Sequence, residues 1–331
     1  MGSDTAITIA LIVAAVSFDF LNGFHDSANV VATTISSRAL SPRKALVLAA
    51  VAEAAGPFLF GVAVATTIGH DIVSPTAIGP TVIFAGLLGA IAWNIITWIL
   101  GIPSSSSHAL IGGLVGAVAV AHGFSAIQVA GIRKTVIALF TSPIVGLIVG
   151  YLFMKLLMWL SRAATPRAND FFKGAQVLTS IGLALSHGTN DAQKSMGIIT
   201  MALVSGGLID SFHVPVWVIA LCASAIALGT FTGAWRIIRT LGAKFYRIRP
   251  IHGFSAQAAS AAVILGAAVL GGPVSTTQVV SSTIIGVGSA ERVSKVRWGV
   301  AGDIAIAWLL TIPASMLMSA LIYIPLHAWL G

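Results

Sequence analysis

The stretch LNGFHDSANVVATT, residues 21–34, interrupts a hydrophobic segment with Asn22, Gly23, His25, Asp26 and Asn29. Before it runs AITIALIVAAVSF, almost wholly apolar, and after it the chain turns apolar again for a few residues. A charged side chain at the centre of a membrane helix costs about 2.5–3.5 kcal/mol on insertion scales. Non-helical backbone at membrane depth is tolerated only where it is buried in protein or lines a cavity. The sequence therefore predicts a helix that breaks around Asp26, inside a packed bundle, at a place that is used.

Composition supports the membrane setting. Of 331 residues, 57% are hydrophobic and 8% charged, against about 25% charged in soluble domains. Nearly charge-free runs over 81–100, 136–151 and 214–231 approach the roughly 17–25 residues that cross a bilayer. An ordinary soluble domain is excluded, and a polytopic helical membrane protein is expected. The formal charge of +8 sits mostly in short segments between apolar runs. That pattern marks cytoplasmic loops, not a nucleic-acid surface. Cys222 is the single cysteine, so no intramolecular disulfide exists. The first apolar segment lacks a basic leader and is followed by a polar motif instead of a cleavage site, unlike a signal peptide.

The same elements occur twice. GFHDSAN (23–29) aligns with GTNDAQK (188–194), Asp26 falling on Asp191 at a displacement of 165. PSSSSH (103–108) aligns with PVSTTQ (273–278) at 170, which also carries TSP (141–143) onto TIP (311–313) and Gly116 onto Gly286. The chain is a duplication, divided here into a first repeat over 1–160, a short cytoplasmic linker over 161–175 and a second repeat over 176–331. The basic loops orient the copies. Arg38, Arg43 and Lys44 follow the first span, whereas the next loop, 69–80, has no Lys or Arg. In the second copy 205–213 has none and the next loop holds Arg236, Arg239, Lys244, Arg247 and Arg249. Equivalent loops thus face opposite sides. Five crossings per copy and both termini outside satisfy this; Arg133 and Lys134 alone run against it.

Inverted repeats with discontinuous helices are a common plan of secondary transporters. Oxygens of Asp26, Asn29, Asn190 and Asp191 are the hard ligands a small cation prefers, and either carboxylate can instead carry a proton. Asp191 and Lys194, one helical turn apart, can also simply pair. The hydroxyl motifs read as the opposite kind of site. Pro103 suits a first helical turn, followed by Ser104, Ser105, Ser106 and Ser107; Pro273 with Ser275, Thr276 and Thr277 repeats this. Helix N-termini offer free N–H groups and a positive dipole end to an oxyanion. Lys194, Gln193, Glu53 and Asn94 are further candidates for the pathway or its surroundings, as is Asp19. His108 and His187 read as packing or hydrogen-bonding residues. Gly112/Gly116 and Gly146/Gly150 have GxxxG spacing, for close helix packing.

With these motifs in place, the chain resembles the inorganic phosphate transporter (PiT) family in its short prokaryotic form. The family repeats a G-x-N-D-x-x-N-like element, here GFHDSAN and GTNDAQKSMG, and a P-x-S-T-T-H-like element, here PSSSSH and PVSTTQ. The resemblance runs from about residue 18 to 313. It implies an all-α inverted-repeat fold in a prokaryotic inner (plasma) membrane, and symport of inorganic phosphate with protons or sodium. It implies no resident cofactor beyond a sodium ion, contact with membrane lipid, no nucleic acid, and compatibility with a homodimer. By matching position, Ser105, Ser106, Ser107, Ser275, Thr276 and Thr277 take phosphate. Asp26, Asn29, Asn190 and Asp191 take the coupling ion, with a sodium site at those four as one form. His25, where the second copy has Asn190, favours protons, because histidine ordinarily titrates within the working pH range. Gln278 replaces the first copy's His108.

A sulfate permease of the same fold is the nearest rival. Sulfate has no proton to donate to a buried carboxylate, so two aspartate motifs favour phosphate. Among other classes, H-E-x-x-H and G-x-S-x-G are absent, so metal-protease and serine-elbow readings lack their residues. A channel would differ by failing to concentrate its substrate.

Overall fold

A computed structural model describes the backbone of residues 2–71, 79–127, 129–163 and 165–330. The chain order is α1 (Gly2–Ser36), α2 (Pro42–Phe60), α3 (Ala63–Asp71), α4 (Pro80–Leu100), α5 (Ser106–His122) and α6 (Val129–Leu160). The second copy follows with α7 (Ala168–Ser205), α8 (Val216–Thr232), α9 (Trp235–Arg239), α10 (Pro250–Val269), α11 (Thr276–Glu291) and α12 (Trp298–Leu330). No β-strand occurs among the described residues. Helix α7 begins inside the segment expected as linker, and most of the loop 69–80 lies outside the described residues.

Five helices, α1, α4, α6, α10 and α12, are long and apolar enough to cross a membrane, and the bent pairs α2–α3 and α8–α9 also qualify. Helices α5, α7 and α11 fall short because they are short or polar, and they carry three of the four motifs, the first lying on α1. With them, each copy contributes five elements in the same order.

The helix breaks lie elsewhere than expected. Helices α1 and α7 run without interruption through Asp26 and Asp191. The polar residues are instead a stripe: Asn22, His25, Asp26 and Asn29 in α1, and His187, Asn190, Asp191 and Lys194 in α7. Both sets have i, i+3, i+4, i+7 spacing, which is one face of an unbroken helix. A helix satisfies its own backbone, so only the side chains needed partners. The breaks fall at glycines with left-handed backbone: Gly61 (φ 81°) and Gly233 (φ 73°), where the pairs bend by 81° and 62°, and Gly101 (φ 68°) and Gly271 (φ 70°), which end α4 and α10. Glycine takes that region without a Cβ penalty. Pro103 is also not in a first helical turn; α5 starts three residues later, with Ser105 as its N-cap.

The copies interlock. Helix α1 packs on α8 and α7 on α2, while α5 packs on α12 and α11 on α6. Gly23 lies against the Ile226 carbonyl, and its equivalent Gly188 against the Glu53 carbonyl. Gly116 abuts Met316, and Gly286 abuts Leu147. A Cβ at any of these would strike backbone, so the glycines set the helix spacing. The outer helices α6 and α12 expose apolar rows, including Ile137, Phe140, Ile144 and Ile148, and Leu310, Leu317, Leu321 and Ile324, as lipid-facing helices do.

The basic segments gather at one end. Arg236 donates to the Ile99 carbonyl at 2.5 Å, Arg297 N donates to the Phe245 carbonyl at 3.1 Å, and Ser37 donates to Gln176 at 2.7 Å. There Glu291 binds Arg249 (2.6 Å), Lys295 (2.8 Å) and His252 (2.8 Å). Burial pushes its carboxyl up, but the Lys295 hydrogen bond and the charges of His252 and Arg249 outweigh this and bring it down to about 2.

Candidate anion and coupling site

The stripes of α1 and α7 face the N-termini of α5 and α11. Two left-handed glycines, Gly101 and Gly271, turn the chain so that α5 and α11 start at Ser106 and Thr276. Ser105 Oγ accepts from His108 N at 3.2 Å, and Ser275 Oγ from Gln278 N at 3.3 Å. These two hydroxyls are helix caps. Of the next two in each run, Ser106, Thr276 and Thr277 reach an aspartate and Ser107 reaches Lys194, beside first-turn N–H groups that have no intrahelical partner.

Around Asp26, Thr277 Oγ1 lies 3.0 Å from Oδ1 and Ser106 Oγ 3.3 Å from Oδ2. Thr277 also accepts from Asn29 Nδ2 at 3.0 Å. His25 Nδ1 sits 3.0 Å from Oδ1 and His187 Nε2 3.8 Å from Oδ2. Around Asp191, Thr276 Oγ1 lies 2.9 Å and His187 Nε2 3.1 Å from Oδ2, and the Lys194 ammonium binds Oδ1. Lys194 also donates to Ser107 Oγ at 2.6 Å and reaches the Val274 carbonyl at 3.3 Å. Asn190 faces acceptors, so its amide nitrogen points to the Val274 carbonyl and Asp191 Oδ1, at 3.2 Å each.

A hydroxyl has one proton to give, and this fixes the pairing. Ser106 gives its proton to Asn22 Oδ1 at 2.5 Å, Thr276 to Asp191, Thr277 to Asp26, and Ser107 to the Val274 carbonyl at 3.2 Å. Asp26, Asp191 and Lys194 are each at most 1% exposed, so the arrangement is closed. An oxyanion enters only if the hydroxyls turn from the carboxylates toward it. His187 ties the centre to Glu53, with Nδ1 3.0 Å from Oε1, and Glu53 accepts from Thr230 at 2.5 Å. A metal-like grouping of Asp26, His187 and Asp191 results.

Not every candidate joins this centre. Gln193 accepts from Val64 N (2.7 Å) and Ala65 N (3.1 Å) and donates to the Gly61 carbonyl (2.7 Å), bridging the α2–α3 break. Asn94 is buried, and its side-chain atoms have no hydrogen-bond partner. Asp19 accepts from Ser195 at 2.8 Å, seven residues before Asp26 on α1. His108 packs edge-on against Phe140. The sequence reading missed Asn22 and His187 as members of the centre. They are equivalent positions, each one turn before its aspartate on the same helix face, and that spacing was the available signal.

The phosphate transporter family model matches residues 22–168 and 160–319, one match for each copy. The chain is 49% identical to a probable low-affinity inorganic phosphate transporter of Rhizobium meliloti (strain 1021), over 96% of each chain. It is 46% identical to one of Bacillus subtilis (strain 168), over 97% of each. A solved structure titled the sodium-dependent phosphate transporter superposes with a TM-score of 0.86 at 25% identity, covering 98% of this chain and 99% of that one. On these matches the chain belongs to the phosphate transporter family, as an integral membrane transport protein and not an enzyme.

Proposed function

We propose that this protein is a phosphate symporter driven by protons. The observation that carries the reading is the convergence of two hydroxyl-bearing helix N-termini on two buried aspartates. Helix N-termini and hydroxyls bind the oxyanion. A carboxylate accepts the proton of a protonated phosphate oxygen, which sulfate cannot supply. Two imidazoles border the same carboxylates: His25 and His187 flank Asp26, and His187 also touches Asp191. Protonated imidazole supplies positive charge beside the carboxylates without a metal ion. Ser106, Ser107, Thr276 and Thr277 hold the anion, Asp26 receives its proton, Asp191 holds Lys194 beside it, and the histidines move or balance charge.

One feature favours a second reading. Asn29 Oδ1 is buried without a hydrogen-bond partner, next to Thr277 and Asp26, and a sodium ion could use all three oxygens. Purified protein in liposomes separates the two. An inward proton gradient drives phosphate accumulation without sodium, a protonophore collapses it, and His25→Asn flattens its pH dependence. Accumulation that requires sodium and ignores the proton gradient decides for the second reading.

For orientation, the basic end faces the cytoplasm of a prokaryotic plasma membrane and both termini lie outside. In a Cys222→Ser background, Leu208→Cys and Phe124→Cys react with an impermeant thiol reagent added outside, whereas Arg162→Cys and Lys173→Cys resist it. External labelling of the last two reverses the orientation.

A further inference from the structure

The inverted repeat allows the two halves of the centre to be compared position by position. Asn29 and Lys194 are equivalent, each three residues after its aspartate. Each reaches across to the hydroxyl helix of the other copy. Asn29 Nδ2 donates to Thr277 Oγ1 at 3.0 Å, and Lys194 Nζ donates to Ser107 Oγ at 2.6 Å. Thr277 and Ser107 are themselves equivalent. The duplicated geometry is thus retained while its charge is not: a neutral amide stands in one half and an ammonium in the other.

The surroundings of that ammonium are all hard oxygens: the Asp191 carboxylate, the Ser107 hydroxyl and the Val274 carbonyl. A carboxylate, a hydroxyl and a backbone carbonyl form a donor set suited to a small hard cation. Lys194 is 1% exposed, so its charge is not shared with water.

We propose that the Lys194 ammonium is a tethered cation that permanently fills the cation position of the second repeat. Sodium therefore does not fit at Asp191, and the transport cycle carries one mobile cation fewer than the repeat symmetry would allow. The reason is spatial and electrostatic. The ammonium sits within bonding distance of each oxygen, and a second unit charge there would repel it strongly in a low-dielectric interior. Lys194 balances the charge of Asp191 and of an arriving anion. It adds no driving force, because it never leaves the protein. The inference rests on the reading that Asp191 belongs to the coupling centre.

The test copies the first repeat into the second with Lys194→Asn. Binding of radioactive sodium and the sodium-dependent shift of the melting temperature are measured on purified protein, with choline as the reference cation. The variant gains one saturable sodium site over the parent and melts higher in sodium than in choline. Sodium raises its phosphate affinity by about 5–150-fold, the usual span of coupling between two bound species. Adding Asp191→Asn to the variant removes the gain. A folded Lys194→Asn protein that binds no more sodium than the parent overturns the inference and leaves Lys194 as a structural partner of Asp191. If Lys194→Asn is not recovered, Lys194→Gln is read in the same way. Recovery of either only when sodium is present supports the inference, and recovery of neither in sodium or choline counts against it. A parent that itself needs sodium defeats proton coupling, yet the tethered cation stands if the variant binds one sodium more.

Discussion

Asp26→Asn abolishes uphill accumulation of phosphate while leaving the protein folded. The amide keeps the size of the side chain and still accepts from Thr277, whose hydroxyl lies 3.0 Å from Asp26 Oδ1. What it loses is the ability to take a proton from the substrate and to hold charge opposite His25 and His187. His187 keeps its contacts with Glu53 and Asp191, so it is not left without a partner. Asp191→Asn is equally inactive but less stable. Lys194 binds Asp191 Oδ1, and breaking a buried pair by removing one partner costs about 3–5 kcal/mol. The measurements are accumulation ratios in liposomes and melting temperatures of both variants. An Asp26→Asn protein that concentrates phosphate like the parent removes that carboxylate from the coupling step. Equal melting temperatures for the two variants mean that Lys194 is not dependent on Asp191 for its charge balance.

Much of this architecture was legible because the sequence repeats itself. Asp26 and Asp191, and the runs after Pro103 and Pro273, mark the halves, and the basic segments show that the halves are inverted. The misreading lay in the backbone. Polar residues at 22, 25, 26 and 29 look like an interruption when counted along a chain, but on a helix they are a single buried face. The true breaks at Gly61 and Gly233 carry no polar cluster to announce them; Pro57 lies inside α2 four residues before the first, and a glycine in an apolar run is compatible with helix. Partner exchange was equally hidden. Asn29 meets Thr277 and Lys194 meets Ser107, 248 and 87 residues apart in sequence, and a repeat displacement does not say whether copies pair within or between themselves. Gln193 reads as a pathway residue by its position beside Asp191, yet it faces the other side of α7 and closes the α2–α3 break.

The proposed function divides the hydroxyl runs into residues that hold the anion and residues that hold the helix, and substitution tests the division. Thr276→Val, Thr277→Val and Ser106→Ala raise the Michaelis constant for phosphate. Each removes a donor whose present acceptor is Asp191, Asp26 or Asn22, and which in the proposed function turns to a phosphate oxygen. A hydrogen bond to a charged group contributes about 1.5–3 kcal/mol, or roughly 10- to 150-fold in affinity by the usual conversion. Valine keeps the branched shape of threonine, so packing at the start of α11 survives. Ser105→Ala and Ser275→Ala act differently. Their oxygens accept from His108 N and Gln278 N, and loss of an N-cap costs about 0.5–2 kcal/mol of stability. These two variants melt lower, while their Michaelis constants shift less than those of the first three. Transport kinetics beside thermal melts of the five variants decide the matter. If Ser105 and Ser275 govern affinity while Thr276 and Thr277 govern only stability, the anion is not held by the first turns of α5 and α11.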